Sequence, residues 1–213
     1  MKILIIGVQE ELGKKIMQLF QPSYNHQIFA LSENSNVAPM LAKWDVEPVI
    51  GNLKTDLTDS LAMMDAVIYI GNNLEDMNND EIVKLEQAGA IQLIQACKNV
   101  GVERFVMLSA MYADQPENAP EEQQHRLFAK NRIEHYLMNS DLTYTVIRAN
   151  KLTASKGNNR IMAGISLKDK QANISVDDLA KVIIESLTCD TAYNKAFEVS
   201  EGPFPLREAL YDL

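Results

Sequence analysis

The sequence is poor in cysteine, histidine and basic charge, and it holds no long hydrophobic run. Its two cysteines, Cys97 and Cys189, lie far apart and form no CxxC pair. Each falls within an apolar helical pattern, so both read as small buried hydrophobes, and disulfide-stapled and zinc-ribbon classes drop out. The three histidines, His26, His125 and His135, have no metal-ligand spacing and no HExxH accompanies them, so no metal is expected. Lysine and arginine number 20 against 29 acidic residues, for a net charge of −9. That balance repels nucleic-acid phosphate and anionic lipid, and no basic run offsets it, so neither is expected as a partner. Lys14 and Lys15 are adjacent, but helical spacing turns them about 100° apart. The early apolar run Ile3–Ile6 is far too short for a signal-peptide core or a membrane span, which places the expected location in the cytoplasm.

The chain does carry ordinary globular material, 46% hydrophobic and 23% charged over 213 residues, enough for one sizeable core. Short apolar runs alternate with amphipathic ones. Strands are expected at Lys2–Ile6, Gln27–Leu31, Pro48–Ile50, Ala66–Ile70, Arg104–Leu108 and Thr143–Arg148. Helical patterns lie near Leu12–Phe20, Val37–Lys43, Leu57–Met63, Glu81–Asn99, Glu121–Asn139, Val176–Thr188 and Leu206–Leu210. In the fourth, Val83, Gln87, Ala90, Ile94 and Cys97 form a stripe suited to packing on a sheet. This alternation implies right-handed crossovers and an α/β fold of Rossmann type, a doubly wound, mainly parallel sheet with helices on both faces. Segments Asn72–Asp80, Met111–Pro120 and Lys151–Arg160 follow strands and are expected to be mobile loops around a ligand site at the carboxyl ends of the strands.

The stretch GVQEELG, Gly7 to Gly13, is where a nucleotide-binding unit would begin. A carboxylate at Glu10 about 4 Å from a phosphate would cost on the order of 4 kcal/mol at an effective dielectric near 20, unless it swings into solvent. Alternatively, Glu10 and Glu11 cap the first helix and take the place of the phosphate. Both readings are open at this point.

KILIIG, DAVIYIG at Asp65–Gly71, GVERFVMLSA at Gly101–Ala110, AKNRIEHYL at Ala129–Leu137, LTYTVIR at Leu142–Arg148, ISVDDLAKVI at Ile174–Ile183 and the late KAFEVSEG together resemble the atypical short-chain dehydrogenase/reductase superfamily. The closest branch is the compact NAD(P)H-binding one, the NmrA-like and small flavin- or biliverdin-reductase-like proteins. The resemblance covers essentially the whole chain, 1–213, as one dinucleotide-binding domain with a small substrate-side portion at about 149–213. It implies a glycine loop GxxGxxG, of which Gly7 and Gly13 are the outer members and Glu10 replaces the middle one. It implies nicotinamide near Ser109 and Gly71, and adenine ribose after the second strand. There the family's NADPH-using members place an arginine, whereas this chain has Ser32 and Glu33, an acceptor for a ribose hydroxyl that favours NAD over NADP.

The resemblance also implies that Ser109 hydrogen-bonds a substrate carbonyl and that Lys130 assists a tyrosine four residues earlier. That earlier position is Arg126, which does not deprotonate at neutral pH and cannot serve as the proton donor. Arg126 and Lys130, one turn apart, could instead grip an anionic substrate or a cofactor phosphate. A more ordinary role for Lys130 is a surface pair with Glu134. Asp177 and Asp178 read as a helix cap, and Gly89 as a close backbone approach. Two functions follow. The chain is an NAD(P)-dependent oxidoreductase moving hydride to a small carbonyl or flavin-like acceptor, or it is a degenerate NmrA-like dinucleotide sensor or interaction module in which catalysis, and with it tight cofactor binding, has been lost. A homodimer is compatible with either.

Overall fold

The computed structural model describes residues 1–8, 11–20, 26–71 and 80–213. The chain first lays down β1 (Lys2–Ile6), α1 (Glu11–Leu19), β2 (Gln27–Ser32), α2 (Ala38–Ala42), β3 (Val46–Ile50), α3 (Thr58–Leu61), β4 (Ala66–Tyr69) and α4 (Asp80–Val100). It continues with β5 (Arg104–Ala110), α5 (Glu121–Met138), β6 (Thr143–Ala149), β7 (Leu152–Thr153), β8 (Arg160–Gly164), β9 (Ile174–Ser175), α6 (Val176–Ser186), β10 (Lys195–Glu201), β11 (Phe204–Pro205) and α7 (Leu206–Tyr211).

Among the described residues nine strands form one sheet in the order β11-β8-β10-β6-β5-β4-β1-β2-β3, and β7 pairs with β9 apart from it. The run from β3 to β6 is the 3-2-1-4-5-6 order of a doubly wound fold, all parallel, and it reverses direction of winding between β1 and β4. Beyond β6 the sheet gains β10 in parallel, then β8 and β11 antiparallel.

Both faces of the sheet are covered, which is why its central strands read as unbroken apolar runs. Ile3 and Ile5 of β1 turn to the face holding Leu12 and Ile16 of α1 and Leu179 and Ile183 of α6. Leu4 and Ile6 turn to the other, with Leu93 and Ile94 of α4 and Ile133 and Leu137 of α5. Period-two alternation in a strand buried on both sides produces this division. Cys97 and Cys189 are both free and buried, and burial pushes the Cys97 thiol up to about 12. Gly89 meets Leu53 so closely that an added Cβ would lie 2.7 Å from the leucine Cβ.

Three expectations need correction. The late strands β8 and β10 escape a search for apolar runs because Glu198 and Ser200 of β10 face inward as polar side chains and β8 ends on Gly164. The cap of α6 is Ser175, whose hydroxyl accepts the Asp178 amide hydrogen at 3.0 Å and donates to the Asp178 carboxylate at 2.9 Å. Asp178 instead accepts the backbone amides of Asn158 and Asn159, at 3.0 and 2.9 Å, and so pins the β7–β8 turn to α6. Segment 111–120 is packed rather than open: Met111 and Ala113 are buried, and the Met111 amide donates to the Ala149 carbonyl at 3.0 Å. The expected loop Asn72–Asp80 lies outside the described residues except at its last position, where α4 begins.

Candidate functional site

The site is built at the carboxyl ends of β1, β2, β4 and β5, where the winding reverses. Gly7 ends β1 with φ of 100°, and a Cβ there would lie 2.6 Å from the Gly71 carbonyl oxygen. Gly71, at the end of β4, has φ of 76°. A Cβ on Gly13 of α1 would meet the Gly7 carbonyl oxygen at 2.5 Å and the Val8 Cα at 2.7 Å. Only glycine fits these close approaches, so the turn brings the start of α1 against the ends of two strands. Glu11 opens α1 as an exposed residue; Glu10 lies outside the described residues. Glu33 stands exposed immediately after β2, beyond Ser32, whose hydroxyl and the Asn34 backbone exchange hydrogen bonds at 3.2 Å.

Ser109 lies near the end of β5 and is 4% exposed, yet among the described residues its Oγ has no hydrogen-bond partner. A local turn of its own loop therefore does not explain it. A buried hydroxyl without a partner carries a desolvation cost that a ligand oxygen or amide would relieve. Ser109 stands opposite Arg148 of β6, and Arg148 opposite Glu198 of β10, so the three form one polar row across the sheet on the face covered by α4 and α5.

Arg148 is fixed by acids on both sides. Its Nη2 lies 2.7 Å and its Nε 3.1 Å from Glu134 Oε2, and its Nη1 lies 3.2 Å from Asp114 Oδ2. Burial works against its charge, but Glu134 and then Asp114 outweigh it and hold its pKa above the usual arginine value. Glu198, fully buried, accepts the Leu167 amide hydrogen at 2.6 Å and pairs with Lys170. Gln171 of the same loop reaches the Tyr112 hydroxyl at 3.4 Å, so the β8–β9 connection leans over the segment that follows Ser109.

Lys130 and Arg126 occupy successive turns of α5 and are both half-buried. The surface pair of Lys130 with Glu134 is overturned: Glu134 is 1% exposed and committed to Arg148. Lys130 instead faces inward beside Tyr69 and Glu86, and burial lowers its pKa, with Glu86 and then Glu134 pulling the other way. Sequence reasoning missed Tyr69 and Glu86. The signal was present, since Glu86 is three residues after Val83 and four before Ala90, a carboxylate on the buried stripe of α4.

A βαβ turn closed by Gly7, Gly13 and Gly71, with an orphaned polar atom at the neighbouring strand end, defines a Rossmann-type dinucleotide-binding protein. The chain belongs to the NAD(P)H-binding family, whose family model matches residues 7–190. It is 31% identical over 216 residues to a Bacillus subtilis protein described as an uncharacterized sugar epimerase, YhfK, with all of both chains covered. Among solved structures, a candidate NAD-dependent epimerase/dehydratase from Bacillus halodurans superposes with a TM-score of 0.93 at 25% identity, again covering both chains fully. The oxidoreductase ylbE from Lactococcus lactis shares the fold, with a TM-score of 0.85 and 24% identity over 100% of this chain and 96% of the other. These relations agree with the compact branch of the atypical short-chain dehydrogenase/reductases. Among the described residues no group of acids, histidines or cysteines could hold a metal ion, and no helix is long and apolar enough to cross a membrane.

Proposed function

We propose that the protein is a cytoplasmic nicotinamide-dependent oxidoreductase of the atypical short-chain type, acting on a small carbonyl or flavin-like acceptor. The observation that carries this reading is Ser109, a buried serine whose Oγ lacks a partner among the described residues at the strand end beside the glycine turn. Bound NADH would supply a transferable hydride. Gly7, Gly13 and the start of α1 would hold its pyrophosphate through backbone amides, and Glu33 would accept a hydrogen bond from the adenine ribose. Gly71, where a Cβ would come within 3.1 Å of Glu86 Oε1, would lie at the nicotinamide end, and Ser109 would donate to the acceptor carbonyl or the carboxamide. Lys130 places a cation next to this end of the site, and Arg126 offers a second one to an anionic group. Residues from about 149 to 213 supply the acceptor side, with the β8–β9 connection nearest to Tyr112.

An acceptor that takes its proton from water suits this chain, because Arg126 stands where a tyrosine donor would be needed. The same replacement supports the second reading, a dinucleotide sensor without turnover.

Titration of the purified protein with NADH and NADPH, followed by nicotinamide fluorescence and heat, tests the proposal. Micromolar NADH binding, at least tenfold tighter than NADPH and narrowed by Glu33→Ala, is expected. Absence of binding at millimolar concentration of either would sink the proposal. Binding without oxidation of NADH by free flavins, aldehydes or ketones would favour the sensor.

A further inference from the structure

This inference rests on the reading above, since it concerns Lys130 of the same site. Tyr69 and Met107 are paired across β4 and β5, and Ser109 lies two residues beyond Met107 on the same face, about 6.6 Å along the strand. Tyr69 and Met107 line a cavity of about 10 Å³, the scale of one water. Val83 and Glu86 of α4 and Lys130 and Ile133 of α5 close it from the other side. The cavity therefore sits one strand repeat below Ser109, with one cation and one carboxylate in an otherwise largely apolar wall.

Glu86 is 8% exposed, and the Tyr69 hydroxyl donates to its Oε1 at 3.3 Å. A carboxylate this deep needs compensation. Among the described residues, the charged or titratable groups facing Lys130 are Tyr69 from β4, Glu86 from α4 and Glu134 from its own helix. Glu134 is engaged by Arg148, and of the two carboxylates Glu86 has the larger effect on Lys130. Tyr69 stays protonated, because burial and the adjacent Glu86 push its pKa well above the usual value, so its hydroxyl serves as a permanent donor to the carboxylate.

We infer that Glu86, anchored by Tyr69, is the counter-charge that positions the Lys130 ammonium beneath Ser109. The relationship spans β4, α4 and α5, and it gives the lysine a charged partner in the place where this chain offers no tyrosine one turn before it.

The test uses the whole, cofactor-free protein with lysine side chains labelled for NMR, the Lys130 resonance being identified through Lys130→Arg. Glu86→Gln should lower the Lys130 titration midpoint by about one pH unit or more, and Glu86→Asp should restore most of it. In the unaltered protein the Glu86 side-chain carboxyl resonance should move as Lys130 titrates. An unchanged midpoint in Glu86→Gln would overturn the inference. Should that variant not fold, the wild-type carboxyl resonance decides alone: a step at the Lys130 midpoint supports the coupling and a flat line overturns it. Dinucleotide titration is run separately. Failed NADH binding with intact coupling would defeat the proposed function and leave this inference standing, and the reverse result would do the opposite.

Discussion

Arg148 of β6 and Glu134 of α5 form a forked ion pair, with Nη2 2.7 Å and Nε 3.1 Å from one carboxylate oxygen, and both residues are nearly excluded from water. Breaking one side leaves a buried charge without its main partner. Arg148→Met and Glu134→Leu should each cost about 3–5 kcal/mol in urea unfolding at neutral pH, and the double variant should cost clearly less than their sum. Additive losses would mean that the two side chains act independently.

Ser109 predicts a separation of stability from binding. Removing a buried hydroxyl that has no partner among the described residues should leave stability unchanged or raise it by up to about 1 kcal/mol, because the desolvation cost disappears with it. Ser109→Ala should nonetheless weaken NADH binding or slow its oxidation severalfold. Thermal melting and cofactor titration on one preparation give both quantities, and a large loss of stability would point to a structural role.

The glycine turn predicts steric intolerance. A methyl group on Gly13 would sit 2.5 Å from the Gly7 carbonyl oxygen, where backbone cannot easily retreat. Gly13→Ala should cost about 1–3 kcal/mol and reduce dinucleotide binding together with it. Calorimetric melting with and without NADH measures the two effects, and a variant as stable as the parent would contradict the packing described here.

Lys130 gives a pH-dependent prediction. Burial lowers its pKa from the ordinary 10.5 in the folded chain, while the unfolded chain titrates near that ordinary value. Between the two values unfolding takes up a proton, so the contribution of Lys130 to stability improves as pH rises through that window. Below it the ammonium is charged in both states, and its burial cost, offset in part by Glu86 and then Glu134, weighs against folding. The difference in stability between Lys130→Met and the parent should therefore move in the parent's favour as pH climbs toward 10.5. Denaturant midpoints at three pH values test the sign, and a constant difference would rule out the titration as its cause.

The central architecture was legible in the chain because buried parallel strands must be apolar on both faces. Lys2–Ile6 was expected with its observed limits, and the strands from Gln27 to Arg148 lie within two residues of theirs. The paired glycines Gly7 and Gly13 could be read for the same local reason, since a turn that requires glycine at φ of 100° leaves a mark in sequence. Beyond β6 the strands are short and inward polar residues interrupt them, so alternation without an apolar run concealed β8 and β10.

The chain alone declared the α/β class and the strand–glycine–helix opening, and its family resemblance singled out Ser109, Lys130 and Arg126 as candidates. The class and the opening depend on local periodicity and short spacing, the three candidates on the family resemblance. Three-dimensional packing settled that Glu134 belongs to Arg148, that Ser109 lacks a partner among the described residues, and that Tyr69 and Glu86 line one cavity with Lys130. These groupings join residues as far as 61 positions apart in sequence, between Tyr69 and Lys130. Crossover topology and strand register bring them together, and no local pattern encodes which buried charges will face one another.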